Sequence, residues 1–250
     1  MRPDILTFPS VPTRVEALNA RYRHHSAISV LGEALGDSDT GSVAMVSSFG
    51  AEAVALLHMI SVLDRSTPVL FIDTEMLFPE TLQYQRDVAD LLGLQDVRVI
   101  RASRTAMAAH DPDGMLNQTD PDACCALRKT RPLHHALAPF DAWITGRKRY
   151  QSGSRATLEF FEAEGTHRIK INPLAHWRAE DTQTYMVENR LPRHPMITRG
   201  YPSIGCAPCT SKVAEGEDPR AGRWRDTAKE ECGIHFVDGV MVRGPVRRAS

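Results

Sequence analysis

Short apolar runs that alternate with amphipathic segments constrain the fold of this sequence more than any other feature. Five runs have the length and composition of buried strands, namely residues 43–46, 69–72, 97–100, 142–145 and 168–171. Strands that are apolar along their whole length are typical of a parallel sheet that carries helices on both faces. The sequence therefore predicts an α/β fold built on a parallel sheet.

The segments around these strands carry helical signals. Apolar residues recur at helical spacing over 13–36 and again over 56–63. Residues 79–92 begin with a proline and stop just before Gly93, which is a common way for a helix to begin and end. From about residue 190 prolines and glycines interrupt every longer pattern, so this part is expected to be irregular and to finish in a mobile, basic tail.

The chain length suits one sizeable domain with appended segments rather than two independent domains. We predict a helical N-terminal segment over 1–40, an α/β domain over 41–200, and a cysteine-bearing segment with a mobile tail over 201–250. The net charge of −1 provides no general attraction for nucleic acid or an anionic membrane. There is neither an apolar run long enough to span a membrane nor a recognisable signal peptide, so a cytoplasmic location is expected.

The five cysteines fall into two close pairs and one isolated residue. An odd number of cysteines without an export signal argues against a disulfide framework. The pairs Cys124/Cys125 and Cys206/Cys209 are able to hold either structural zinc or an iron–sulfur cluster. Because a vicinal pair fits the usual zinc knuckle poorly, we favour a [4Fe–4S] cluster, with zinc as the alternative.

Cys232 stands apart from the pairs, in a Gly-, Pro- and charge-rich stretch. An exposed, mobile cysteine that is brought close to arginines has a lowered pKa and reacts as a thiolate. The alternative interpretation is an incidental surface cysteine.

Three distinctive segments, at 47–52, 73–75 and 146–155, directly follow predicted strands and should meet at the carboxyl edge of the sheet, where ligands of such sheets bind. Two of them carry groups suited to anions. In the first, 47–53, the hydroxyls of Ser47 and Ser48, the small Gly50 and a helix N-terminus are suited to phosphate, although the segment is not a Walker A loop. The second segment, 146–155, carries four cations suited to phosphate or sulfate oxygens: Arg147, Lys148, Arg149 and Arg155. Taken alone, the first segment is explained about equally well as an ordinary strand–helix turn. The second, taken alone, is better explained as a solvated basic loop, with a nucleic-acid patch as a further alternative.

Considered together, eight segments resemble, in order, the assimilatory adenylyl-sulfate and phosphoadenylyl-sulfate reductases. They are SSFGAE (47–52), FIDTEMLFPET (71–81), CCALRK (124–129), TGRKRYQSGSR (145–155), NPLAHW (172–177), YPSIGCAPCT (201–210), GRW (222–224) and ECGIH (231–235). The resemblance implies an adenine-nucleotide hydrolase-like fold with a modified phosphate loop, so that 41–200 would be the nucleotide-binding domain.

The resemblance also implies a chemistry. Members that act on adenosine 5′-phosphosulfate (APS) hold a [4Fe–4S] cluster on cysteines matching Cys124, Cys125, Cys206 and Cys209. Cys232 would then be the nucleophile that accepts the sulfonate, giving sulfite and AMP within sulfate assimilation and cysteine biosynthesis. Substrate binding would fall to Ser47, Ser48, Gly50, Arg147, Arg149, Arg155, Arg223 and Lys129.

The expected partners are the small-molecule substrate and a separate thioredoxin or glutaredoxin-like electron donor, since no fused thioredoxin-like domain is recognisable. We expect neither nucleic acid nor membrane as a partner, and homo-oligomer formation is left open. Two residues depart from the family pattern: Ala53 stands where serine is frequent, and His176 stands where an acidic residue is common.

The nearest alternative is the same reaction on the 3′-phosphorylated substrate, PAPS. An ATP-dependent thiolase or amidating ligase would need a Ser-Gly-Gly-x-Asp-Ser loop, which 47–53 does not supply. A nonenzymatic zinc- or iron–sulfur-binding regulator could use 146–155 on nucleic acid, although the near-neutral net charge speaks against it.

Overall fold

The computed structural model describes residues 9–225 and two short segments, 236–237 and 240–241. Six strands form one sheet: β1 (Val43–Ser47), β2 (Val69–Ile72), β3 (Val97–Ile100), β4 (Ala142–Ile144), β5 (Phe161–Glu164) and β6 (Arg168–Ile171). Their order is β3-β2-β1-β4-β6-β5, and every neighbouring pair is parallel except β5 with β6. β7 (Phe236–Val237) and β8 (Val240–Met241) pair separately.

Within the described residues, nine α-helices connect and cover these strands. They are α1 (Val11–Tyr22), α2 (Ala27–Gly36), α3 (Ala53–Leu63), α4 (Pro79–Leu92), α5 (Arg104–His110), α6 (Leu116–Thr119), α7 (Pro121–Cys125), α8 (Arg131–Ala136) and α9 (Ala179–Glu188). None of them is both long and apolar enough to cross a membrane.

The central strands β2 and β4 are buried on both faces, as their apolar sequences predict, whereas the edge strand β3 is partly exposed. Successive residues of a strand point to opposite faces. Met45 therefore joins the larger core formed with α1–α4 and α9, while Ala44 joins a smaller core with Leu133 and Leu137, which cover the other face. Trp143 of β4 lies in that smaller core. The α/β prediction is confirmed.

Two details differ from the sequence-based expectations. The helical pattern over 13–36 is two helices, because the Ser26 hydroxyl accepts the backbone N–H of Ser29 (3.3 Å) and begins α2 as a new helix. The antiparallel β5 was not predicted, since its sequence, FEAE, is short and only partly apolar.

The helix that carries the vicinal cysteines is irregular. α7 ends at Cys125, a π-helical turn spans Ala126–Thr130, and α8 begins at Arg131, whose N–H reaches back to the carbonyl of Ala126. Such π turns are frequent at functional sites.

Candidate active site

A cleft of about 570 Å³ opens where the central strands β1 and β4 end. Its walls come from the loop after β1, the loop after β4, the π turn that contains Lys129, and the irregular segments around 202–206 and 218–224. The carboxyl ends of parallel strands are where open α/β sheets bind ligands. Thus the two polar segments singled out in the sequence share one cavity.

The loop after β1 is held in an unusual backbone conformation. Phe49 has a φ of 47°, in the left-handed region that non-glycine residues rarely adopt. Its ring is fully buried and packs edge-on against Phe71, with 5.3 Å between ring centres, and its N–H donates to the Ser47 hydroxyl at 3.1 Å. The packing fixes the turn, which brings Ser48, Gly50 and the N-terminus of α3 to the cleft wall.

An ion pair joins this loop to the one after β4. The Lys148 ammonium donates to Glu52 at 2.9 Å, and the Tyr150 hydroxyl donates to the same carboxylate at 3.0 Å. Burial lowers the pKa of Lys148, while the neighbouring Glu52 raises it. In the sequence Lys148 is only one of four cations in the basic segment. In the structure its ion pair with Glu52 links the loop after β4 to the loop after β1.

The arginines predicted to bind substrate do not all reach the cleft. Arg147, Arg155 and Arg223 line it. Arg149 is not part of the wall: its guanidinium donates to the Leu158 carbonyl at 2.7 Å and to Glu159 at 3.1 Å. The other predicted substrate residues, Ser47, Ser48, Gly50 and Lys129, all line the cleft.

The second cysteine pair is fixed to the loop that follows β2. The N–H of Ala207 donates to the Met76 carbonyl at 2.8 Å, and Leu77 pairs with Cys206 in an antiparallel bridge. The Thr74 hydroxyl lies 3.1 Å from the Cys206 sulfur. Cys206 itself lines the cleft, so this pair borders the same cavity as the basic loop.

Cys124 of the first pair interacts electrostatically with both cysteines of the second pair. Burial raises the pKa of the Cys124 thiol, the nearby Arg128 lowers it, and charges on Cys206 and Cys209 raise it further. Cys124, Cys125 and Cys206 are buried, and Cys209 is half-buried. Across residues 9–225 and the two short tail segments, no three His, Cys, Asp or Glu side chains are arranged to hold a single metal ion.

A buried arginine stands beside the cysteines. Arg128 donates to the Thr74 carbonyl at 2.9 Å and to Asp111 at 2.7 Å. Its Nε is buried and has no hydrogen-bond partner among the described residues. Arg128 thereby connects the helix of the first cysteine pair to the loop that holds the second.

The chain after the second pair folds back over it. Arg223 donates to the Ile204 carbonyl at 3.1 Å and lies over the Trp224 ring at 4.4 Å. A Cβ on Gly205 would come within 2.4 Å of the Arg223 guanidinium, so glycine permits this contact. Cys232 and the rest of 231–235 lie outside the described residues.

Comparison with known proteins identifies the family. The profile of the phosphoadenosine phosphosulfate reductase domain matches residues 42–212. A protein named adenosine 5′-phosphosulfate reductase from Mesorhizobium japonicum is 46% identical over 226 residues, which are 90% of this chain and 89% of that protein. The chain belongs to the APS/PAPS reductase family. It is accordingly an oxidoreductase of sulfate reduction.

Other relatives agree with this assignment. The APS/PAPS reductases include one from Chelativorans sp., named adenosine 5′-phosphosulfate reductase, that is 47% identical over 88% of this chain and 89% of its own. The crystal structure of phosphoadenylyl-sulfate reductase from Candida auris, a phosphate complex, superposes with a TM-score of 0.67 at 28% identity, over 80% of this chain and 96% of that one. Yeast FAD synthetase shares the fold alone, with a TM-score of 0.52 at 14% identity over 82% and 77% of the chains.

Several residues that shape this family site were not found from the sequence. The motifs assigned no individual role to three of them: Thr74, Asp111 and Glu162. Thr74 contacts Cys206, Asp111 accepts from Arg128, the neighbour of Lys129, and Glu162 accepts from Asn172. Thr74 falls inside the quoted segment 71–81, which was a usable signal. The other two carry no local signal, because their contacts come from elements distant in the chain.

Proposed function

We propose that the protein reduces adenosine 5′-phosphosulfate to sulfite and AMP, with Cys232 as the nucleophile. The observation that carries this proposal is that one cleft is lined by the basic loop after β4, by Lys129 from the segment of the first cysteine pair, and by Cys206 of the second pair. The names of the most similar relatives support APS as the substrate, and they do not favour the 3′-phosphorylated alternative.

In this proposal the cleft neutralises a polyanion. Arg147, Arg155 and Arg223 supply guanidinium groups, and Lys129 supplies an ammonium from the cysteine side. The backbone around Gly50 and the N-terminus of α3 add N–H groups and a favourable dipole for a phosphate. Because both the nucleophile and the substrate are anions, the main contribution of the protein is to align them and cancel their repulsion.

The reaction proceeds in two balanced steps. The Cys232 thiolate attacks the sulfur of the phosphosulfate, a sulfur–sulfur bond forms, the bond from sulfur to the bridging oxygen breaks, and AMP departs. A thiol of a reduced thioredoxin then attacks the Cys232 sulfur and expels sulfite, and its second thiol closes the disulfide and restores Cys232. Two electrons pass from the dithiol to the sulfonate sulfur, and two protons are released.

The four paired cysteines fit a [4Fe–4S] cluster. Each thiolate of such a cluster binds a different iron, so a [4Fe–4S] cluster does not require the four thiolates to converge on one ion, as tetrahedral zinc does. The buried Arg128, with its unpartnered Nε, supplies positive charge and a hydrogen-bond donor next to Cys124. When bound, the cluster would supply local charge and hold the two cysteine segments together. A reducing cytoplasm would keep all five thiols available.

The test is sulfite release by protein purified without oxygen, with thioredoxin as the donor, comparing APS with PAPS. We expect a strong preference for APS and no turnover in Cys232→Ser, whose iron and sulfide content should equal that of the wild type. Replacing Cys124 or Cys206 by serine should lower the iron and sulfide content. Equal use of both nucleotides would refute the proposed specificity, and zinc in place of iron would refute the cluster.

A further inference from the structure

We propose that Glu162, on the antiparallel strand β5, is a positioning residue that aims the guanidinium of Arg147 at the anion in the cleft. This inference rests on the proposed function, because it assumes that an anionic group binds there. No motif of the sequence includes Glu162, and the residue is not itself part of the cleft wall.

The hydrogen bonds of the Arg147 guanidinium to described residues all lie on one side, at Nε and Nη2. Its Nη2 donates to the Glu162 carboxylate and, at 3.1 Å, to the amide oxygen of Asn172. Its Nε donates to the Thr145 hydroxyl at 3.3 Å. Three protein acceptors therefore bind the Nε and Nη2 groups and fix the plane of the guanidinium.

The supports of Arg147 are themselves fixed. Asn172 is completely buried, accepts the Thr145 hydroxyl at 2.7 Å, and donates to the Glu159 carbonyl at 3.0 Å and to the Glu162 carboxylate at 3.0 Å. Asn172 follows the end of β6, and Glu162 lies on β5, which pairs with β6. The sheet thus holds both acceptors in register, and Arg147 has little freedom to turn.

The remaining nitrogen of Arg147 is the one available to a ligand. Nη1 makes no hydrogen bond or ion pair to any residue that the structure describes, and it is not among the buried polar atoms without partners. A solvent-accessible Nη1 on a residue of the cleft wall is a ready donor for a phosphate or sulfate oxygen. Glu162 accepts from Nη2 and so determines that the Nη1 edge of the guanidinium faces the anion.

Orientation and charge make different predictions, and two substitutions of Glu162 separate them. Glu162→Ala removes the acceptor, whereas Glu162→Gln keeps an oxygen acceptor without the charge. If orientation matters, Glu162→Ala should raise the Kd for AMP and the KM for APS by about tenfold with kcat little changed, as expected when ground-state binding is lost. Glu162→Gln should stay within about threefold of the wild type.

The same change in an Arg147→Ala background should have less than about a twofold effect, because Glu162 would act only through Arg147. The matched control is Glu159→Ala, since Glu159 holds Arg149 outside the cleft and should leave both constants unchanged. AMP affinity is measured by calorimetry, so the double-mutant cycle does not depend on turnover.

The outcomes separate the two proposals. If Glu162→Ala leaves the AMP affinity and the KM for APS unchanged, or lowers affinity equally with and without Arg147, the positioning role is wrong. If the cycle behaves as expected on AMP but no sulfite forms, the positioning role stands and the proposed reaction is wrong. If the wild type does not bind AMP, both are wrong.

Discussion

The cleft has two rims that are held in place by different kinds of interaction. The sheet rim, residues 47–52 and 145–155, continues directly from β1 and β4 and is tied across by Glu52 and Lys148. The cysteine rim, residues 124–129 and 202–224, is attached by single backbone bonds, a π turn and the buried pair of Asp111 and Arg128. Single side-chain changes should therefore disturb the cysteine rim more than the sheet rim.

The largest expected effect is the loss of the buried ion pair. The side chains of Asp111 and Arg128 are 2% and 6% exposed, so Asp111→Asn leaves the arginine charge buried without its carboxylate. We expect the free energy of unfolding to fall by about 3 kcal/mol in urea titrations. Asp113→Asn, at an exposed position two residues away, is the control and should change it very little. Equal effects of the two variants would show that the pair does not anchor this rim.

A smaller effect should follow from pH at the junction between the rims. His194 is fully buried, its Nδ1 accepts the Met196 N–H at 3.2 Å, and its Nε2 lies 3.1 Å from the hydroxyl of Thr81, a cleft residue. Burial lowers the pKa of His194 to about 4. His194 takes up a proton near pH 6.5 in the unfolded chain but only near pH 4 in the folded protein. The contribution of His194 to stability is therefore fully present above about pH 6.5 and is lost as the pH falls toward 4.

The loss due to His194 should reach about 2 kcal/mol by about pH 5. Urea titrations of the wild type and His194→Gln at about pH 7 and about pH 5 measure it, and the variant should lose most of the pH dependence. His167→Gln, at an exposed position, is the control. A His194→Gln curve parallel to that of the wild type would contradict the assignment.

The smallest effect concerns the turn of chain that covers the second cysteine pair. A Cβ on Gly222 would lie 2.2 Å from the Ser211 carbonyl oxygen, next to the bond from the Ser211 N–H to the Gly222 carbonyl. Gly222→Ala should cost about 1–2 kcal/mol and speed proteolysis between 211 and 225. Gly153 lies on the sheet rim, and a Cβ there would meet no atom within 4 Å. Gly153→Ala should therefore change neither the stability nor the rate of proteolysis. Similar sensitivity of both variants would remove the distinction between the rims.

The sheet rim was largely predictable, because its strands carry an unambiguous apolar pattern. The predicted strands 43–46, 69–72, 97–100 and 168–171 match β1, β2, β3 and β6 to within one residue, and 142–145 matches β4 apart from Thr145. Since the carboxyl ends of parallel strands meet at one edge, the convergence of the polar segments followed from topology.

The rest depended on contacts that no local pattern reveals. Glu162 reaches Arg147 only because β5 turns back antiparallel on β6. Asp111 reaches Arg128 across two short helices, and the π turn beside Cys125 has no distinctive residue signature. Arg149 was placed with the substrate because of its neighbours in the sequence, whereas its side chain turns to Glu159.

The central claim is that Cys232 accepts the sulfonate of a nucleotide bound between the two rims. Mass spectrometry of the protein mixed with APS in the absence of reductant tests it directly. We expect an added SO₃ group on the peptide that contains Cys232, removed by thioredoxin and absent from Cys232→Ser. Cys232 is not the acceptor if it stays unmodified in a protein that still releases sulfite, or if another cysteine carries the group.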